Sequence, residues 1–265
     1  MEKLIKAFFE KEKIEYFASC KISDEYIALE RKLPSFAKYV TVFLIPYKTD
    51  AETANVSVYA VSRDYHFYIS ELKKAFSEQM RNTGVCESFE MFADNSPFFE
   101  RKLACDLSLG FIGKNGLLIN EKYGSFIFVA EMVTEKEICL NSNAANEKKE
   151  CLSCLECIKA CPSRCINSGD FGVCMSALTQ KKKLDENQEA LVKGHPLVWG
   201  CDFCQQVCPH NKNARNTPIE FFKKERIPYL TTKLVSEMTD EDFSKRAYAW
   251  RGKEVLLRNL KLKNL

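Results

Sequence analysis

The chain has 265 residues, 46% of them hydrophobic, and a formal net charge of +3. That length supports one sizeable core plus a smaller module. The charge excludes a polycation, and no stretch approaches the roughly 18 apolar residues of a membrane span. The opening Met1-Glu2-Lys3-Leu4-Ile5-Lys6 has no long apolar run and no small-residue cleavage site, so no secretory leader is expected. A cytoplasmic protein with reduced thiols follows as the expectation. Its thirteen cysteines, an odd number at metal-like spacings, argue against a disulfide scaffold.

Residues 1–145 alternate strand and helix signals. Lys38–Tyr47 (KYVTVFLIPY) reads as a buried strand ended by Pro46. Asp64–Met80 has helical spacing, with Tyr65, Ile69, Leu72 and Phe76 on one face. Phe89–Phe92 reads as a short strand and Pro97–Leu109 as a helix stopped by Gly110. Gly116–Thr134 reads as a hairpin of LLIN and SFIFVAEMVT, turning near Glu121–Gly124. Together these predict an α+β fold, with a layered α/β domain over 1–145. The polar stretch Asn141–Lys149 reads as a linker into a cysteine module over 150–212, followed by a basic helical tail over 213–265. From Asn211 to Leu265 there are thirteen Lys/Arg and seven Asp/Glu, so the tail could meet phosphates or be a solvated helix face.

The cysteine module carries the most specific spacing. Cys151-x2-Cys154-x2-Cys157-x3-Cys161-Pro162 has the bacterial ferredoxin pattern, in which the fourth cysteine serves the other cluster of a pair. A second run follows, Cys201-x2-Cys204-x3-Cys208-Pro209. Each cubane needs four soft thiolates. One cluster then takes Cys151, Cys154, Cys157 and Cys208, and the other takes Cys161, Cys201 and Cys204. The missing ligand is Cys165 or Cys174, with Cys174 favoured because Gly169 and Gly172 let it swing independently. A structural zinc site is the weaker alternative. Cys20, Cys86, Cys105, Cys139 and Cys165 have no metal-like partner and read as buried reduced cysteines.

Upstream of the cysteines, in order, stand Arg63-Asp64-Tyr65-His66, then Asp94-Asn95-Ser96-Pro97-Phe98-Phe99-Glu100-Arg101, then Gly110-Phe111-Ile112-Gly113-Lys114-Asn115. Tyr123-Gly124-Ser125 and Ala130-Glu131-Met132 come next, ahead of CLSCLECIKACP and GCDFCQQVCPHN. With them the chain resembles the epoxyqueuosine reductases, cobalamin-dependent enzymes related to the reductive dehalogenases. The likeness covers about residues 50–215 and continues in Arg251-Gly252 and Leu256-Leu257-Arg258-Asn259.

The resemblance implies a cobalamin in the first domain, two [4Fe–4S] clusters beside it, and removal of the epoxide oxygen of epoxyqueuosine in tRNA. It places the proton donor at Asp94 and its matching arginine at Arg101. It also suggests Arg63, Tyr65, His66, Lys114 and Asn115 as cofactor contacts. An epoxide leaves poorly as an alkoxide, so a positioned acid makes chemical sense, and Phe92, Phe98 and Phe99 could supply its apolar wall. Read without the family, Asp94 is an ordinary helix cap. The implied partners are tRNA and an external low-potential donor such as flavodoxin or ferredoxin, with no membrane and a monomeric chain. Longer members carry a C-terminal helical-repeat domain that grips tRNA, and this sequence reads as a short member lacking it. Two other readings stay open: the same cofactors acting on a small organic substrate, and a plain two-cluster electron carrier.

Overall fold

The computed structural model describes residues 2–50, 54–83, 88–141 and 149–265. Cys86 and most of the expected linker lie outside the described residues. Helix α1 (Glu2–Lys11) buries Ile5, Phe8 and Phe9, and is followed by strands β1 (Phe17–Lys21) and β2 (Tyr39–Pro46). Helix α2 (Tyr65–Arg81) starts at Asp64, whose carboxylate accepts the His66 N–H at 3.0 Å. Strand β3 (Phe89–Ala93) leads through a tight corner to α3 (Glu100–Asp106). The two-residue strands β4 (Phe111–Ile112) and β5 (Leu118–Ile119) precede β6 (Ile127–Thr134).

Four strands form one antiparallel sheet in the order β1-β2-β6-β3. Strand β2 is central and covered on both sides, so it reads as a continuous apolar run rather than an alternating one. Phe43 and Ile45 pack with α1 and α2, while Val40, Val42 and Leu44 face α3 with Phe98, Leu103 and Ala104.

The hairpin expected over Gly116–Thr134 does not form. Strand β5 pairs with β4 (Phe111↔Ile119, Ile112↔Leu118), and β6 is paired on both edges by β2 and β3. A strand whose two edges are already taken has no ladder left to offer LLIN. One bridge, Asn120↔Gly124, remains of the expected turn. The helix predicted from Pro97 also starts later, because Ser96 Oγ accepts the Phe98 N–H (3.1 Å) and holds that corner outside the helix.

The cysteine loops carry short helices α4 (Glu156–Lys159), α5 (Cys165–Ser168), α6 (Met175–Gln180), α7 (Glu186–Gly194) and α8 (Phe203–Gln206). Helices α9 (Thr232–Glu237), α10 (Asp240–Ser244) and α11 (Lys253–Leu262) follow. The last three do not form a separate tail. They bury Val235, Phe243, Leu256 and Leu260 in one core with Val56, Val61 and Trp199. Many of the basic residues there turn inward to backbone carbonyls. Arg258 donates to Lys181 O (2.7 Å), Lys253 to Met238 O (2.7 Å), and Lys263 to Val192 O and His195 O. They satisfy orphan carbonyls at helix ends, so these three cations are engaged within the fold.

Gly124 stands at a close approach between the sheet domain and the cysteine loops. Its φ is +59°, and an added Cβ would sit 2.1 Å from Asn211 Oδ1. Gly124→Ala is therefore expected to destabilise the protein by about 1–3 kcal/mol, read as a lower thermal unfolding midpoint. An unchanged midpoint would contradict this packing.

Candidate active site

Asp94 occupies the corner after β3 with φ +63°, a left-handed conformation that aspartate tolerates better than most residues. It is exposed and lines a cleft with Tyr65, Glu100, Arg101, Ser125 and Phe128. It does not cap α3, whose N-cap position is Phe99 with no side-chain bond. Phe98 is buried in the core and Phe92 packs against it, whereas Phe99 is 53% exposed. The apolar wall is instead Leu117, Leu118, Ile127, Phe128 and Val129. Tyr65 stacks on Phe128 at 4.0 Å, and burial followed by the Asp94 charge keeps its phenol protonated.

Two further carboxyls lie behind Asp94. Burial, then the Asp94 charge, pushes Glu100 up to about 7, against the Asp94 N–H it accepts and the Arg101 charge. Glu131 is fully buried on the α3 face of β6, opposite Val42 and Phe92. Burial, then the charge of Glu100, raises it well above the carboxylate range. The sequence reading passed over both as acids. The one available signal was a glutamate inside the apolar strand FVAEMV.

The remaining expected contacts separate into three places. Arg101 stands on the cleft and donates to Gly116 O, tying α3 to the turn at Gly116 (φ +75°). His66 is exposed and pairs with Asp64 (2.8 Å), which raises its pKa. Arg63 does not line the cleft. It pairs with Glu71 (3.6 Å) and Glu225 (3.7 Å) and lies over Phe221. Lys114 and Asn115 line the cysteine cavity rather than the Asp94 cleft.

That cavity brings together Cys151, Cys154, Cys157 and Cys208, with Leu152, Leu155 and His210 around them. Ser153 (φ +50°) and Leu155 (φ +64°) are left-handed on either side of Cys154, curling the loop around the thiols. Elsewhere in the module, the charges of Cys201, Cys174, Cys157 and Cys161 act together with burial, the larger cause, to push Cys204 up to about 12. Cys201 rises to about 12 through burial, with Cys174 and Cys161 among its charged neighbours. Closely set, half-buried thiolates are costly unless a metal neutralises them, so the donor set suits iron–sulfur clusters. Cys165 is buried, and its Sγ lies 3.5 Å from Cys161 Sγ, so it is not without a sulfur partner. Cys139 is exposed, contrary to its expected burial.

The cysteine loops reach the cleft through buried polar contacts. Asn211 Oδ1 accepts the Ser125 N–H (2.8 Å), and Asn211 Nδ2 donates to Ser125 Oγ (2.8 Å). Gln205 Nε2 donates to Ser125 O (2.9 Å) and the Tyr47 hydroxyl (3.2 Å). On the other side, Asp202 accepts from Ser57 Oγ and from the Val58 N–H (2.9 Å), and Trp199 Nε1 donates to Tyr59 (2.8 Å).

The raised Glu100 has a consequence for stability. A carboxyl that binds its proton more tightly folded than unfolded stabilises at low pH. That contribution is lost as pH rises from about 4.5 towards about 7. Glu100→Gln should therefore gain in unfolding midpoint relative to wild type between pH 5 and 8. A constant difference across that range would contradict the raised carboxyl.

Residues 150–211 match the family model described as a 4Fe-4S double cluster binding domain. The epoxyqueuosine reductase of Leadbetterella byssophila is 32% identical over 239 residues, covering 87% of this chain and 78% of that one. The Cyclobacterium marinum enzyme of the same name is 33% identical over 226 residues, covering 81% and 71%. Among solved structures, the Streptococcus thermophilus epoxyqueuosine reductase superposes with a TM-score of 0.76 at 22% identity, covering 98% of this chain and 80% of that one. An epoxyqueuosine reductase with an epoxyqueuosine-modified tRNA-Tyr stem loop gives 0.74 at 21% identity, covering 98% and 80%. A catabolic reductive dehalogenase gives 0.51 at 14% identity, covering 98% and 35%. With about a third of the aligned residues identical across most of both chains, this protein belongs to the epoxyqueuosine reductase family.

Proposed function

We propose that this chain is a cobalamin- and iron–sulfur-dependent oxidoreductase that reduces epoxyqueuosine to queuosine in tRNA, with Asp94 as proton donor. The observation that carries the reading is the joining of the Asp94 cleft to the double-cluster loops through Ser125, Gln205 and Asn211. Family membership supplies the substrate, and a relative bound to an epoxyqueuosine-modified stem loop supports tRNA as partner.

The cleft, about 180 Å³, can receive one edge of a flat amphipathic macrocycle. Its wall is apolar, Arg101 and Tyr65 stand at its rim, and its lining includes no histidine or cysteine. Cobalamin bound there supplies a carbon-directed nucleophile once reduced, and the protein need contribute no metal ligand. Tyr65 and Phe128 offer stacked rings that exclude water from the cleft. Arg101 holds the Gly116 turn against α3 and so fixes the cleft's width. Asp94 gives a proton to the oxygen as a C–O bond breaks, and its carboxyl lines the cleft from a left-handed corner outside the helix.

The first cluster takes Cys151, Cys154, Cys157 and Cys208, and the second takes Cys161, Cys174, Cys201 and Cys204. The shared electrostatics of Cys174 with both Cys201 and Cys204 support its place. The clusters pass single electrons from an external low-potential donor, and Lys114 beside the first one favours its reduced state.

Two outcomes follow. Asp94→Asn should keep its iron and corrinoid yet lose about 10²–10⁴-fold in turnover of an epoxyqueuosine-containing stem loop, the range of a general acid. Turnover within a few-fold of wild type would contradict the role. On anaerobic reconstitution Cys174→Ala should bind about four fewer irons than wild type, and Cys165→Ala the full complement. The reverse result would reassign the eighth ligand.

A further inference from the structure

Resting on the reductase reading, we propose that Glu131 and Glu100 hold a shared proton beneath the cleft and deliver it to Asp94, so that one exposed acid acts twice in each turnover. The reaction sets the requirement. An epoxide, two electrons and two protons give an alkene and water. Both C–O bonds break, the C=C bond forms, and the oxygen leaves with two hydrogens. The electrons arrive one at a time from a low-potential one-electron donor through the clusters. The first proton is needed when the first C–O bond opens, and the second when the hydroxyl departs as water. Asp94 carries one.

The geometry supplies a second. Glu131 is 0% exposed, and among the described residues its carboxyl has no hydrogen-bond partner beyond the neighbouring Ser96 hydroxyl. It stands between Val42 and Phe92 in an apolar layer, where an ionised carboxylate is strongly disfavoured. Its neighbours with polar groups are Glu100 and the Ser96 hydroxyl. Glu100 opens α3, accepts the Asp94 N–H, and keeps a buried Oε1 without a partner. Asp94 and Arg101 face Glu100, and Tyr65 on α2 feels its charge. The three carboxyls thus run in order from the core to the cleft. A glutamate kept only for packing would be replaceable by a glutamine of the same shape; a proton store would not.

Infrared difference spectroscopy on the reconstituted holoprotein tests this directly. The expected result is a protonated-carboxyl C=O band in wild type at pH 8, lost in Glu131→Gln and kept in Asp94→Asn. In stem-loop turnover, Glu131→Gln should lower kcat about tenfold or more at pH 8 and less at pH 6, with KM unchanged. Glu100→Gln, at the cleft edge, should give the same shift in the alkaline limb and serves if Glu131→Gln fails to assemble. A wild type that turns over without the band overturns the proton store alone. So does a band lost in the variants with kcat and pH profile unmoved. A wild type that shows the band but reduces no epoxyqueuosine overturns the reductase reading and the proton's purpose with it.

Discussion

The hydrogen bonds of Ser125 with Gln205 and Asn211 set the distance between the cysteine loops and the Asp94 cleft. They are buried and mutually satisfied, and losing one partner would strand the others at about 1–3 kcal/mol each. Single-electron transfer requires donor and acceptor centres to be held close, and on the proposed reading this contact would hold them. Gly124 permits it by leaving room for Asn211, while Asp202 and Trp199 anchor the other side of the module to residues 57–59. The C-terminal helices then complete the core around Trp199.

The cleft is built on the opposite physical logic. Ser125, Gln205 and Asn211 satisfy one another, whereas among the described residues Glu131 has only the Ser96 hydroxyl beside it and one oxygen of Glu100 has no partner. Together with the left-handed corner at Asp94, this places poorly satisfied buried carboxyls next to an exposed acid. Such local costs persist where the surrounding structure holds them, and they gather at functional sites. Here β2 and β6, packed on both faces, provide that support.

Much of this was legible in the sequence. Cluster ligation depends on local spacing, so the two cysteine runs announced themselves, and the apolar periods of Tyr39–Pro46, Tyr65–Arg81 and Phe89–Ala93 gave β2, α2 and β3 close to their observed ends. Strand pairing is not local, which is why LLIN was matched to the wrong neighbour. The basic residues of the C-terminal segment read equally as phosphate-facing or solvated, because charge can be counted in a sequence but its hydrogen-bond acceptors cannot. For Lys114 and Asn115 the family likeness identified the segment, and only the folded loops showed it meeting the four-cysteine cavity. For Glu131 the sequence offers only a glutamate inside an apolar strand, and its burial beside Glu100 appears once the strand is packed.

The central claim is that one chain holds two clusters and a corrinoid in electronic contact. Anaerobic reconstitution with iron, sulfide and cobalamin, followed by iron and corrinoid analysis of the gel-filtered protein, tests it most directly. The account predicts about eight irons and about one corrinoid per chain. Retention of the irons without corrinoid would contradict it and leave a two-cluster electron carrier in its place.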